Sequence, residues 1–269
     1  MFEVRIRRPH PAFSSVIAYF SQRLGRFAEM SVLRPLHARP NQFLEFYLAD
    51  PYQVEEEGVG FAAAPAGVLV GSCLTPGKRL GFVGEVRTFT IHFQPTGLSR
   101  LFGLPMSDLT DQAFDGRDVF GRDFAALDSA MRLQTSFEAR VGAAEQWLGD
   151  KLDEAPPLGP VDWASRLIAT SSGRVSIDQL AARSGMSARQ LQRRFLADVG
   201  ATPKTYARVH RFSAVLEARR RRPDRAWADL ASEYGFADQA HLIRETRALA
   251  GRTPEVLIQE LLAIPEQRI

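Results

Sequence analysis

Two hydrophobic rhythms divide this chain. In the first half the apolar residues come in short, alternating runs; after position 160 they recur at helical spacing. Over 88–93 every second residue is apolar, so Phe89, Ile91 and Phe93 share one face of a strand. The runs 43–48 and 68–70 are also β-prone and are bounded by Pro or Gly. Glycines at 58, 60, 67, 71, 77, 81 and 84 punctuate the region as turns would in a small antiparallel sheet or barrel. The segment 123–152 lacks proline, and Phe124, Leu127, Met131, Phe137, Val141, Trp147 and Leu148 fall at helical spacing. It predicts one or two helices. Their apolar stripe either packs on its own sheet or offers Val141, Leu148 and Leu152 as a dimer seam.

The stretch 153–160 holds three prolines and a glycine and cannot continue a helix, so it reads as a linker. The expected division is a domain over 1–152, a linker over 153–160 and a second domain over 161–269.

Within the second part a pattern occurs twice. LAARSGMS at 180–187 returns as LASEYGFA at 230–237, and each copy is followed by a helix-like run and then by Gly-x-Thr-Pro, at 200–203 and 251–254. The offset grows from 50 to 51, so the second copy carries one extra residue. A repeated helix, glycine turn and second helix is the layout of two helix-turn-helix units. Ser176 and Ser187 each precede Gln by three residues, the capping-box signal. Thr202 and Thr253 each precede a Pro suited to the first helical position. Gly185 and Gly235 suit a tight bend, and Ala181 and Ala231 are small enough to let a second helix cross closely.

On the helix predicted over 187–199, Ala188, Leu191, Phe195 and Val199 form a core stripe, while Arg189, Gln192 and Arg193 lie opposite. Arg can bridge guanine O6 and N7, and Gln can bridge adenine N6 and N7, in the major groove. Charge agrees: 160–269 holds 18 Lys and Arg against 12 Asp and Glu, while the remainder holds 16 against 19. A basic second part points to a polyanion such as duplex DNA. The run Arg219 to Arg222 suits either a helix carboxyl end or phosphate contact.

No apolar run is long enough for a membrane span and no leader-like segment opens the chain, which leads us to expect a cytoplasmic protein with no membrane partner. Cys73 is the sole cysteine, which excludes an internal disulfide and a multi-thiolate zinc site.

From 175 to about 257 the sequence resembles the DNA-binding domain of the AraC/XylS family of transcription regulators. The resemblance is carried by 177–181, 187–195, 235–245 and the Gly-x-Thr-Pro endings. It implies about seven helices, two helix-turn-helix units joined by a long helix over 203–219, and two helices entering successive major grooves. Base-reading positions then fall on Arg189, Gln192 and Arg193, and on Gln239, Ala240, His241, Ile243 and Arg244, with Arg244 and Arg247 holding phosphates. Thr246 stands where the family usually has Phe, and Leu257 replaces a frequent aromatic, so the second unit is expected to pack less tightly and to discriminate less. The segment 89–105 resembles a sensor domain found ahead of such modules. That implies a β-rich, cupin-like fold with helices, a small-molecule effector and a homodimer. The expected whole is an α+β protein: a sensor joined to an all-α DNA reader, binding operator or promoter DNA and, in that role, meeting RNA polymerase.

A cupin-like, metal-dependent enzyme is the alternative for the first domain. His10, His37 and His92 are scattered without a paired motif, so no metal site, catalytic residue or cofactor is assigned. DNA-repair alkyl transfer would need an activated thiolate, for which a lone Cys73 is a poor candidate. An effector pocket would use aromatic walls with polar anchors, for which Phe43, Phe46, Tyr47, Phe89, Phe93, Arg39 and Glu45 are candidates. None is assigned a ligand contact.

Overall fold

The computed structural model describes residues 2–56, 58–263 and 266–268. Strands β1 (Phe2–Arg7), β2 (Ile17–Leu36), β3 (Phe43–Tyr47), β4 (Gln53–Glu56), β5 (Gly60–Ala63), β6 (Gly67–Val70) and β7 (Lys78–Phe93) come first. Short helices α1 (Gly97–Phe102) and α2 (Met106–Leu109), strand β8 (Ala113–Asp115), and helices α3 (Gly116–Leu133) and α4 (Phe137–Asp153) follow. The sheet order is β8-β6-β3-β7-β2-β1, with β4 pairing β5 and β7. Its spine is the antiparallel pair β2–β7, with an irregularity between Phe27 and Val32.

Alternation splits the sheet into two faces. Leu44 and Phe46 of β3, Leu69 of β6, and Phe89, Ile91 and Phe93 of β7 are buried in one core with Phe124, Met131, Val141 and Leu148 of α3 and α4. The stripe on 123–152 therefore faces its own sheet. Val141 and Leu148 are buried and Leu152 packs on the same core, which overturns the dimer-seam reading. Arg140 closes the α3–α4 corner, donating to Met131 O (3.1 Å) and Gln22 Oε1 (2.9 Å).

Seven helices follow among the described residues: α5 (Pro160–Thr170), α6 (Ile177–Arg183), α7 (Ala188–Val199), α8 (Pro203–Arg221), α9 (Trp227–Glu233), α10 (Gln239–Ala250) and α11 (Pro254–Leu262). The architecture is α+β, an antiparallel sheet region followed by a helical region. Residues 154–159 separate α4 from α5. Backbone β9 (Glu266–Arg268) returns to pair in parallel with β1, so the last part of the chain joins the first sheet.

All four expected helix starts carry their caps. Ser176, Ser187, Thr202 and Thr253 accept from Gln179, Gln190, Thr205 and Val256 N–H. The reciprocal bond is made only at α7, where Gln190 Oε1 accepts from Ser187 N–H at 2.9 Å. Ser187→Ala should cost roughly 0.5–2 kcal/mol, read as a lower urea midpoint; an unchanged midpoint would show that this cap contributes nothing.

Candidate functional site

Helices α6–α7 and α9–α10 form two units built alike. After α6 the N–H of Met186 donates to Ala181 O (3.1 Å), and after α9 the N–H of Phe236 donates to Ala231 O (2.9 Å), the same six-residue closure. It needs a left-handed residue, supplied by Gly185 (φ 66°) and Gly235 (φ 75°), and both bends are exposed. The extra residue of the second copy lies in its turn: Ser187 caps α7 and Asp238 caps α10, 51 positions apart, whereas the glycines are 50 apart.

Helix α7 buries Leu191, Phe195 and Val199 and leaves Arg189, Gln192 and Arg193 exposed. Ala188 departs from its expected core position: it opens the helix and is exposed. On α10, Gln239, Ala240, Arg244 and Arg247 are exposed, while His241 and Ile243 are half-buried. His241 is held in place. Its Nδ1 accepts from Ala237 N–H (3.2 Å) and its ring meets Phe236 edge-on at 5.5 Å. Thr246 is fully buried, its hydroxyl donating to Leu242 O (2.8 Å), and Leu257 is fully buried too. The expected loosening of the second unit does not show in its burial.

The connecting helix α8 ties the units together. Arg208 makes two bonds to Glu245 (2.9 and 3.1 Å), and Arg211 donates to Gly235 O (3.1 Å) while lying over Phe236. Arg174, ahead of the first unit, donates to Glu233 O (3.0 Å). In the arginine run, Arg219 stacks on Trp227 and bonds Arg225 O, while Arg220 and Arg221 pair with Glu217.

The second face of the sheet holds a cavity of about 130 Å³, lined among others by Arg23, Arg34, Arg39, Glu45 and His92. An adjoining apolar cavity of about 250 Å³ shares Arg39, Phe43, Glu45 and Tyr52, and adds Tyr47, Val54 and Val68. Of the pocket candidates, Phe43, Tyr47, Arg39 and Glu45 thus line these spaces. Phe46, Phe89 and Phe93 do not, because alternation turns them into the opposite core. Sequence reasoning missed Arg23, Arg34 and His92 as lining residues. Arg23 and Arg34 lie on β2, a 20-residue strand whose irregular sequence gave no alternation signal.

Burial, reinforced by Arg39 and Arg34, pushes the His37 imidazole down to about 3. Burial, with Arg23 and Arg39, holds His92 well below the usual range. His37 packs against Phe212 and His92 stacks on Tyr19, so the histidines serve separate places. Among the described residues no three His, Cys, Asp or Glu side chains group closely enough to hold a metal ion. Burial raises the Cys73 thiol, opposite to what a reactive thiolate needs. Among the described residues no helix is long and apolar enough to cross a membrane.

Residues 180–260 match a protein family described as "Helix-turn-helix domain", of the AraC type. No curated protein matches the chain significantly. Among solved structures, ToxT from Vibrio cholerae aligns over 90% of this chain and 98% of its own, at 10% identity and a TM-score of 0.51. A second ToxT structure, described as unsaturated fatty acid bound, aligns over 97% and 100%, at 10% identity and a TM-score of 0.50. A probable AraC family transcriptional regulator from Rhodopseudomonas palustris aligns over 37% and 94%, at 22% identity and a TM-score of 0.34. The likeness to ToxT is one of fold. The twin units and the family match define a DNA-binding regulator. The match to the AraC-type helix-turn-helix family lies within its helical region, over residues 180–260.

Proposed function

We propose that this protein is a one-component transcription regulator that binds operator or promoter DNA and responds to a small molecule held against its sheet. The observation that carries this reading is the pair of like-built, exposed glycine turns, each presenting a helix with a buried apolar face and an outward polar one. Arg189, Gln192 and Arg193 read bases in one major groove; Gln239, His241, Ile243 and Arg244 enter the next. Arg244 and Arg247 also hold phosphate. Arg220 and Arg221 add a sequence-blind share if phosphates displace Glu217 from them.

The effector site is the paired cavity behind β3 and β7, one part lined by charged and polar groups and the other by apolar walls, which suits a small amphipathic ligand. ToxT, of like fold, is known with a fatty acid bound. The reading places the protein in the cytoplasm, with RNA polymerase as a partner in regulation. A homodimer belongs to it as well, through a surface other than the inward-facing α4 stripe. The metal-dependent enzyme reading has no ligand cluster among the described residues to support it.

Selecting sites from random duplex DNA with the full chain tests the core of this. Two conserved blocks about one helical turn apart, roughly 10 base pairs, are expected. Recovery of unenriched sequence would overturn the assignment.

A further inference from the structure

Resting on the reading of the cavity as an effector site, we infer that it takes a small organic anion, a carboxylate with a short apolar body, anchored by Arg39. We infer also that the segment 37–42 carries its presence to both α7 and α10. Among the described residues, the polar cavity is lined by the guanidinium groups of Arg23, Arg34 and Arg39 and by the carboxylate of Glu45. That carboxylate is already engaged: it accepts from Thr90 (3.0 Å) and Tyr47 (3.2 Å) and lies 3.6 Å from Arg23. Arg39 lies over the Phe43 ring at 5.1 Å, and its buried Nε has no hydrogen-bond partner among the described residues. A buried donor on a cation is costly to leave unmatched, and an anion satisfies both charge and bond. Beside it, His92 is 7% exposed, and its buried Nδ1 also lacks a partner while Nε2 meets Ser21 at 2.9 Å. The neighbouring apolar cavity receives the body of the ligand. Together the two spaces reach the lower end of the size range of ligand sites, about 300–1,000 Å³, so the ligand is small.

The connection runs through six residues. Ala38 N–H donates to Leu249 O (2.8 Å) in the last turn of α10. Gln42 Nε2 donates to Val199 O (3.0 Å) at the end of α7. Between them Arg39 turns into the cavity, its backbone paired in both directions with Cys73 (2.7 and 3.1 Å). His37 and Ala38 pack on the core of α8, α10 and α11, through Phe212 and its neighbours. A ligand that draws on Arg39 therefore acts on a short strap bonded to both helices proposed to enter DNA. Gln42 is a positioning residue in this scheme.

The test uses the full chain, with octanoate and 4-phenylbutanoate as probes and their primary amides as neutral controls. In calorimetric titrations the carboxylates should bind one per chain and the amides at least about tenfold more weakly. Arg39→Gln should lose roughly 10- to 100-fold in carboxylate affinity, and Arg39→Lys should recover part of it. Absence of carboxylate binding, equal binding of the amides, or full affinity in a folded Arg39→Gln would overturn the anion site and leave the DNA-binding reading intact. In DNA titrations the bound carboxylate should shift wild-type affinity by about fivefold or more. Gln42→Ala should bind the carboxylate normally yet bring that ratio toward one. A preserved ratio would overturn the strap. A wild-type ratio of one, with the carboxylate bound, would instead sink the effector reading itself.

Discussion

Acidifying this protein from pH 7.5 to pH 5.5 should remove about 3 kcal/mol or more of folding stability. Three histidines set the effect. Burial holds His37 at about 3 and His210 at about 4, and keeps His92 well below the usual imidazole value. In the unfolded chain each titrates near 6.5. Below that value the unfolded state binds protons that the folded state refuses, so stability falls as pH falls. It is fully present above about 6.5 and is lost progressively toward the folded values. At pH 5.5 His37 and His210 remain neutral when folded, so each contributes about 1.4 kcal/mol of loss, and His92 acts in the same direction. Urea unfolding at the two pH values measures the sum. His210→Phe isolates one share: the ring that meets Tyr206 edge-on at 4.4 Å is kept and the proton site is removed. That variant should show a loss smaller than wild type by about 1.4 kcal/mol. A wild-type midpoint insensitive to pH would mean that these imidazoles are charged in the folded protein.

Replacing Arg189 and Arg193 together by Ala should weaken binding to the selected site by roughly 2–6 kcal/mol, about 1–3 for each bidentate base contact. Both side chains are exposed on α7, and Ala is the better helix former, so the fold should not suffer. The loss should be specific. Affinity for random duplex should fall far less, and the base preference at the matching positions should flatten. Arg247→Ala provides the contrast. Removing a charge proposed to hold phosphate should weaken all duplexes alike and reduce the slope of log affinity against log salt by about 1. Anisotropy titrations at several salt concentrations separate the two patterns. If the double variant bound the selected site as wild type does, α7 would not be a reading helix.

Much of this molecule was legible from local signals. The repeat located both turns, and the cap residues at 176, 187, 202 and 253 marked four helix starts that form with those caps. The alternation of Phe89, Ile91 and Phe93 put them on one face, which the structure buries. These succeed because caps, turns and periodicity involve residues only a few positions apart. Failures came where a distant partner decides. The stripe on α4 suits a core somewhat better than a seam by spacing, and only the sheet laid against it resolves the choice. Ala188 suited a core stripe by spacing, but it is the first residue of α7 and is exposed. Phe46 matched its neighbours as a wall of the cavity, yet one step along a strand reverses the side.

The amino-acid order by itself determined the two helix-turn-helix units, their outward arginines and the sheet-then-helix sequence of elements, because each is written in short-range spacing. Only the tertiary structure decided that Arg23, Arg34, Arg39 and Glu45 share one cavity, and that 37–42 bonds both α7 and α10. Those groups stand up to about 200 positions apart in the chain. Long-range strand pairing and the docking of the helical region bring them together, and no local pattern encodes such a meeting.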